Sequence, residues 1–180
     1  MASRLSYTIY FLFIINLSAC SQNKIITTEQ NTPVFVNSEK EHKAYFASGC
    51  FWCVEAIYES IIGVNNVVSG YSGGNIPNPT YEIVNTKITG HAETIEVSYD
   101  PKKINFSNLV DIYFASQDIE QINGQGPDNG PQYRSIIFYQ TEAQRDLINK
   151  KIEKLEKNKN LKVAAEVSPF EKFWIAENYH

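Results

Sequence analysis

Hydrophobic and polar positions follow two different periods between residues 42 and 180, and the changes of period predict the order of the secondary-structure elements. In residues 92–100, AETIEVSYD, apolar and polar side chains alternate with the period of two that is typical of a β-strand. In residues 50–61, CFWCVEAIYESI, apolar side chains instead recur at helical spacing. The same criteria predict strands at residues 43–48, 64–74, 92–100, 133–140 and 161–167, and helices at residues 50–61, 105–117 and 141–158.

The predicted elements begin with the order βαββαβ, which is that of the split βαβ or ferredoxin-like arrangement. We therefore predict an α+β fold whose ferredoxin-like core is a two-layer sandwich, with an extra helix, an extra strand and long active-site loops. Gly63 is predicted to end the first helix, and residues 75–90 are predicted as a loop. Residues 118–132, rich in Gly, Asn and Pro, form a second long loop, which we predict to be functional because apolar elements flank it.

The composition indicates one globular domain that does not bind nucleic acid. The chain has 180 residues, of which 43% are hydrophobic, enough for one sizeable core but not comfortably for two. Its net charge of −4 and isoelectric point near 5.4 provide no basic excess to neutralise a phosphate backbone. Nucleic acid is therefore not an expected partner.

The first twenty residues have the outline of a signal peptide. A single basic residue, Arg4, precedes the apolar run YTIYFLFIINL, residues 7–17, which is too short for a helix that crosses a bilayer because such a helix needs about twenty residues. The segment LSAC, residues 17–20, resembles the bacterial lipobox, in which the cysteine becomes the lipidated first residue of the mature protein. An ordinary secretory signal that is cleaved nearby is the alternative.

These features predict three segments: a lipoprotein signal peptide at 1–19, lipidated Cys20 with a polar flexible tether at 20–41, and a folded domain at 42–180. A lipid on Cys20 would anchor the protein to a membrane. We therefore expect a place in the bacterial cell envelope outside the cytoplasm, in the periplasm if the cell has two membranes.

The two other cysteines lie in the segment GCFWC, residues 49–53. Two cysteines cannot form a disulfide framework, and a single pair beside the chain's three histidines gives little support for a four-ligand zinc site. No metal site is predicted. Two buried, inert thiols are a further alternative.

The position of Cys50 favours a reactive thiol. A cysteine in the first turn of a helix faces unpaired backbone N–H groups and the positive end of the helix dipole, which stabilise a thiolate. Cys53 follows one turn later, and helical residues at this spacing have Cα atoms about 5 Å apart, within the range that a disulfide tolerates. We therefore predict that Cys50 is the nucleophile and that Cys53 resolves its oxidised form.

Phe51 and Trp52, between the cysteines, bear on the choice between general disulfide exchange and reduction of an oxidised substrate. Thioredoxin-like motifs usually carry small or turn-forming residues at these positions, whereas both residues here are large and apolar. They would form a wall for a small apolar group, although plain core residues are an alternative for each.

The segment GCFWC is similar to the motif of A-type peptide methionine sulfoxide reductases, and the resemblance continues beyond it. Four further segments resemble the family's blocks in the family's order: GYSGGNIPNPTYEIV, TGHAETIEVSYDP, GQGPDNGPQYRSIIFY and FWIAENYH. The resemblance covers roughly residues 43–180 and implies a ferredoxin-like α/β core with long loops.

The resemblance also implies a reaction. Cys50 would attack the sulfoxide sulfur and end as a sulfenic acid, while Glu93, in GHAE, would protonate the sulfoxide oxygen. Cys53 would then form a disulfide that a thioredoxin-type reductant reopens, without any metal or organic cofactor. A solvated surface charge is the alternative for Glu93, and His91 is expected to be structural.

The remaining roles implied by the resemblance concern substrate binding. Tyr81, Asp128 and Tyr133 would hold the sulfoxide oxygen and the attached water or acid, and Phe51 and Trp52 would enclose the methyl group. Packed tyrosines with a satisfied hydroxyl are the alternative for Tyr81 and Tyr133, and a loop cap is the alternative for Asp128.

The sequence departs from the family in two places. Many relatives have a histidine and a proline where this chain has Gln117 and Ile119, so the shape of that loop is open. Others resolve with a cysteine near the C-terminus, which this chain lacks, and they continue beyond the position of His180. We therefore expect a short or missing tail over the site, and resolution by Cys53 or an external thiol.

The predicted function is reduction of methionine-S-sulfoxide, in oxidised proteins or free, by a membrane-tethered enzyme. A periplasmic CxxC disulfide oxidoreductase is the rival enzyme, and it predicts reduction of insulin disulfides without a need for Glu93. A third alternative is a tethered protein whose Phe51 and Trp52 only bind methionine-rich partners, which predicts no sulfenic acid on Cys50.

Overall fold

A six-stranded sheet forms the centre of the protein in the computed structural model, which describes residues 42–180. Its strands and those of a small separate sheet are β1 (His42–Ala47), β2 (Val64–Ser72), β3 (Ala92–Tyr99), β4 (Gly124–Gln125), β5 (Asp128–Asn129), β6 (Ile136–Tyr139), β7 (Glu166–Pro169) and β8 (Trp174–Ile175). The helices are α1 (Phe51–Glu59), α2 (Tyr81–Asn85), α3 (Phe106–Ala115) and α4 (Glu142–Lys159). The predicted signal peptide, Cys20 and the tether lie outside the described residues.

The α+β class predicted from the sequence is confirmed. The main sheet has the strand order β7-β6-β1-β3-β2-β8, in which β6 and β7 pair in parallel and the other neighbours are antiparallel, while β4 and β5 form the separate sheet. The sequence predicted five strands, of which the first four correspond to β1, β2, β3 and β6. Beyond these four, the main sheet has two further strands, β7 and β8, where the sequence predicted only one. The central order places β3 between β1 and β2, so this strand has neighbours on both sides.

The strand β3 is buried along all of its eight residues, including the polar ones. The sequence alternation of this strand is therefore not an alternation of core and solvent, because both faces of the sheet are covered. Glu96 accepts hydrogen bonds from the Tyr45 hydroxyl at 2.8 Å and from Lys43 Nζ at 2.6 Å on one face. This same strand carries Glu93 into the interior.

The helices cover the other face of the sheet and form the main core with it. Phe51, Val54 and Tyr58 of α1 are buried in this core. Each fully buried side chain of this size stabilises the fold by roughly 1.5–3 kcal/mol relative to exposure. Helix α3 begins after Asn105, whose side chain accepts a hydrogen bond from the N–H of Asn108 at 2.9 Å. Capping of this kind satisfies a donor that the helix itself leaves unpaired.

Several predicted boundaries are wrong. The first helix ends at Glu59, two residues before the predicted end at Ile61, and the loop predicted at 75–90 contains the helix α2. The last predicted strand, 161–167, begins only at Glu166, because the pairing with β6 starts there, opposite Ile136. Local sequence does not show where a partner strand begins, so such a boundary depends on tertiary pairing.

Candidate active site

The turn that leads into α1 places Cys50 at the start of the helix, as the sequence predicts. Gly49 has φ +73°, and a Cβ atom there would lie 2.6 Å from Cβ of Gln125, so both the backbone conformation and the space require glycine. The N–H of Gly49 donates to the carbonyl of Tyr133 at 3.1 Å. This bond joins the nucleophile's turn to the end of the Gly-rich loop, 118–132.

The Cys50 thiol is half-buried, and its burial outweighs the stabilisation of the thiolate that the sequence predicts from the helix start. Burial raises the pKa of Cys50, and the charges of Glu93 and Cys53 raise it further. The backbone N–H groups of Cys53 and Trp52 lower this pKa, but by less. Because a carboxylate at Glu93 opposes ionisation of Cys50, protonation of Glu93 favours the thiolate.

Glu93 is only 2% exposed, which excludes the alternative of a solvated surface charge. Its Oε2 accepts a hydrogen bond from the N–H of Phe51 at 3.0 Å, directly beside Cys50. Burial raises the pKa of Glu93 to about 7, and the charge of Asp128 contributes, although the bond from Phe51 opposes the shift. The carboxyl group therefore holds a proton in a large fraction of molecules at neutral pH, as a general acid requires.

Of the predicted oxygen-binding residues, Asp128 and Tyr133 interact with the Glu93 carboxyl group, and Tyr81 interacts with Tyr133. Tyr81 is the first residue of α2, Asp128 lies in β5, and Tyr133 ends a short 3-10 turn that begins at Pro131. The pKa of Tyr133 is raised to about 12, mainly by burial. The charges of Glu93, Tyr81 and Asp128 and a hydrogen bond with Tyr81 also raise it. Tyr133 is therefore a neutral phenol that can donate a hydrogen bond at any physiological pH.

The two residues between the cysteines differ in exposure. Phe51 is 2% exposed and belongs to the main core, whereas Trp52 is 51% exposed, and their ring centroids lie 6.2 Å apart. The imidazole of His180 lies 5.0 Å from the Phe51 ring, 5.5 Å from Trp52 and 4.9 Å from Tyr81. The C-terminal segment therefore reaches the site through His180.

Two residues of this segment that reach the site, Glu177 and His180, were not predicted from the sequence. Glu177 accepts a hydrogen bond from the N–H of Tyr81 at 2.8 Å, and the side chain of His180 is buried among the aromatic rings. Both residues lie in FWIAENYH, the last block of the resemblance, which assigned no role to either. Their approach to the site depends on the pairing of β8 with β2, which no local pattern indicated.

Comparison with known proteins decides the family. The model of the family described as "Peptide methionine sulfoxide reductase" matches residues 42–180. The chain belongs to this family. It is 50% identical over 138 residues to peptide methionine sulfoxide reductase MsrA of Nautilia profundicola, a match that covers 77% of this chain and 79% of that protein. It is 47% identical over 137 residues to the MsrA of Saccharolobus solfataricus, covering 76% of this chain and 77% of the other.

Solved structures show the same likeness. Mxr1 from Saccharomyces cerevisiae in reduced form has a TM-score of 0.73 at 33% identity, and the match covers 78% of this chain and 82% of that one. Methionine sulfoxide reductase A of Corynebacterium diphtheriae has a TM-score of 0.72 at 29% identity, with 80% and 74% covered. The predicted peptide methionine sulfoxide reductase family is thus confirmed, while the roles of the individual residues stay predictions.

The second cysteine of this reductase, Cys53, is more exposed than the nucleophile Cys50. Cys53 is exposed, and both thiols are free. A cavity of about 610 Å³ reaches both cysteines and extends along Gln117 and Pro127. An exposed thiol one helical turn from Cys50 can attack it and can also be reached by a second protein.

Gln117, which departs from the family pattern, links two segments beside the reductase site by hydrogen bonds to Ser48 and Ser135. Its Oε1 accepts a hydrogen bond from Ser135 at 3.0 Å and another from Ser48, which precedes the turn into α1. The loop shape that the sequence left open is therefore held by a carboxamide. His91 behaves as the structural residue that was expected, since its Nδ1 accepts from the N–H of Gly74 at 3.1 Å.

Proposed function

We propose that this protein reduces methionine-S-sulfoxide, in proteins or free, to methionine through the thiol of Cys50. The single observation that carries the proposal is the hydrogen bond from the Phe51 N–H to the buried carboxyl of Glu93. It holds a group with a pKa raised by burial to about 7 beside a nucleophile. This arrangement supplies a proton where a thiolate attacks, and a disulfide exchange does not need such an acid.

In the first step, the Cys50 thiolate attacks the sulfoxide sulfur while Glu93 transfers its proton to the sulfoxide oxygen. A sulfoxide oxygen is a poor leaving group until it is protonated, so the two events support each other. The S–O bond breaks as the bond between the Cys50 sulfur and the substrate sulfur forms, and the oxygen leaves as water after it has taken up a second proton from solvent. Water then attacks Sγ of Cys50 and returns that proton, the bond between the two sulfurs breaks, methionine leaves with two electrons gained, and Cys50 is left as a sulfenic acid. The proton of the thiol replaces the one that Glu93 donated.

Three polar groups and two rings would bind the substrate in this step. The hydroxyls of Tyr81 and Tyr133 would donate to the sulfoxide oxygen, and Asp128 would hold the attached water or acid. Phe51 and Trp52 would enclose the methyl group between a buried ring and an exposed one. This division of polar and apolar partners is the proposed basis of specificity for methyl sulfoxides.

In the second step, the Cys53 thiol attacks the sulfenic acid sulfur, water leaves, and a disulfide forms. We propose a dithiol of thioredoxin type as the reductant, which reduces this disulfide and is itself oxidised. The exposure of Cys53 supports this step. Yeast Mxr1, whose reduced form resembles this chain, has also been solved in complex with Trx2.

A lipid anchor at Cys20 is proposed from the sequence alone. The lipobox resemblance of residues 17–20 supports cleavage after residue 19, a tether at 20–41 and a reductase domain at 42–180. The protein would then act in the bacterial cell envelope, outside the cytoplasm. Within residues 42–180, no helix is both long and apolar enough to span a membrane.

The experiment that tests the function is dithiothreitol-driven reduction of the two epimers of a blocked methionine sulfoxide. Wild type should reduce the S epimer, and Cys50→Ser should not, because a neutral hydroxyl is a far weaker nucleophile than a thiolate. The same preparations are assayed for reduction of insulin disulfides. Insulin reduction without sulfoxide reduction would contradict the proposal and support the disulfide oxidoreductase.

A further inference from the structure

Glu177, which follows β8, holds two groups that surround the active site. Its Oε1 accepts a hydrogen bond from the Tyr81 N–H at 2.8 Å, and its Oε2 accepts one from the Tyr71 hydroxyl at 3.0 Å. Nε2 of His180 lies 3.4 Å from the same Oε2. Burial raises the pKa of Glu177, but these hydrogen bonds and His180 lower it by more. The carboxylate is therefore ionised at neutral pH, with both oxygens engaged.

The helix that carries Tyr81 depends on this carboxylate for its position. The helix α2 spans five residues, and the first N–H groups of any helix have no partner inside the helix. Thr80 accepts from the N–H of Ile83, and Glu177 accepts from the N–H of Tyr81. A hydrogen bond to an ionised acceptor is about twice as strong as a neutral one. Glu177 thus determines where the first residue of α2 lies.

We propose that Glu177 is a positioning residue for sulfoxide reduction, which holds Tyr81 in place to bind the sulfoxide oxygen. This inference rests on the proposed function, in which the Tyr81 hydroxyl donates to that oxygen. Glu177 itself acts only through the backbone of Tyr81. The C-terminal segment is thereby part of the active site although it carries no cysteine.

The proposed effect of Glu177 on sulfoxide reduction does not pass through Tyr71, its other hydrogen-bond partner. It is fully buried in β2, where it pairs with Glu93 of β3, and its ring lies 5.9 Å from that of Phe51. A residue fixed by its strand and by core packing keeps its position without the hydrogen bond from its hydroxyl. Tyr71→Phe, which removes only that bond, is therefore a matched control.

The test is a double-mutant cycle on the rate constant of the first turnover with a blocked methionine-S-sulfoxide. Tyr81→Phe and Glu177→Ala should each slow this step about tenfold, the value of a hydrogen bond that positions or binds the reacting group. In the Tyr81→Phe background, Glu177→Ala should add less than about a twofold loss, because its effect passes through the missing hydroxyl. Glu177→Gln keeps an acceptor for the Tyr81 N–H and should recover to within about threefold of wild type.

Two controls separate positioning from loss of structure. Glu171→Ala removes an exposed carboxylate from the same segment and should keep the wild-type rate, as should Tyr71→Phe. All variants should also show wild-type alkylation of Cys50 by iodoacetamide, which depends on the intact start of α1.

The outcomes distinguish the inference from the function on which it rests. If Tyr81→Phe alone keeps the wild-type rate, the proposed role of Tyr81 is wrong. If Tyr81→Phe is slow but the two losses multiply, only the positioning role is wrong. A Glu177→Gln rate as low as that of Glu177→Ala, or a Tyr71→Phe loss as large, would also overturn the positioning role.

Discussion

Glu93 and Cys50 are the residues whose ionisation decides the chemistry, and each shows what burial does to a charge. Burial raises the pKa of Glu93 to about 7, and it also raises the pKa of Cys50, to which the charge of Glu93 adds. A protonated Glu93 therefore has two roles. It donates the proton to the substrate, and because it carries no charge it does not oppose ionisation of the Cys50 thiol beside it.

The raised pKa of Glu93 makes stability depend on pH. Its folded pKa of about 7 lies above the ordinary value of 4.5, so between these values the folded state binds more protons than the unfolded state. Stability contributed by the neutral carboxyl is therefore complete below about pH 4.5 and is lost as the pH rises toward 7. Glu93→Gln is always neutral and should be more stable than wild type at pH 8, on the order of 2 kcal/mol.

Denaturant unfolding of wild type and Glu93→Gln at pH 5 and pH 8 measures this effect. The difference between the two proteins should grow with pH. A constant difference across this range would show that the carboxyl is not held neutral by the fold.

Cys53→Ser should separate the first step from recycling, because only the second step uses the second thiol. The variant should form about one equivalent of methionine per enzyme and leave a sulfenic acid on Cys50 that dimedone traps. Wild type provides the comparison with full thioredoxin-driven turnover. Equal turnover in the variant would show that another thiol resolves the sulfenic acid.

At the scale of elements, the site depends on how the start of α1 is joined to the loop beside it. Gly49 provides the turn, and its N–H bonds to the carbonyl of Tyr133. Glu93 reaches the same helix start from β3 through the N–H of Phe51. The start of α1, the end of the loop at Tyr133 and the strand β3 thus meet at the first turn of this helix.

Gly49→Ala should disturb this junction, because its φ is +73° and the new Cβ would lie 2.6 Å from Cβ of Gln125. We expect a first-turnover rate lowered by about tenfold or more together with a lower melting temperature, since small displacements at a reacting centre are costly. Gly126→Ala is the matched control. Its φ is +55° with no atom within 4 Å of the new Cβ, so it should lose roughly 1 kcal/mol of stability at an unchanged rate. Equal rates for both variants would contradict the importance of the turn.

The elements also show what local sequence can and cannot reveal. The helix at Cys50 and the strand at Glu93 were predictable because their periodicity is local. The raised pKa of Cys50 was not, because burial and a neighbouring carboxylate are tertiary effects. The contacts of Tyr81 with Glu177 join residues far apart in the chain, and no spacing rule reports such a pair. The resemblance supplied the polar site residues, but it assigned nothing to Glu177.

At the scale of the whole molecule, a reductase domain at 42–180 is proposed to follow a lipidated cysteine. Cys20→Ala should release the protein from the membrane fraction, because attached lipid supplies the anchoring. Fractionation followed by mass spectrometry of the mature protein measures this, and Cys53→Ser, which keeps Cys20, is the control. If globomycin leaves the precursor size unchanged and the mature protein carries no lipid, the anchor proposal is wrong.

The measurement that tests the central claim most directly is the first-turnover rate of Glu93→Gln with a blocked methionine-S-sulfoxide. Gln keeps the size and the acceptor for the Phe51 N–H but has no acidic proton, so the rate should fall by about 10²–10⁴, the usual value of general acid catalysis. Cys50 of the variant should still react with iodoacetamide, since the opposing charge is gone. If the first-turnover rates of wild type and Glu93→Gln agree within about threefold, the proton comes from another group and the account is contradicted.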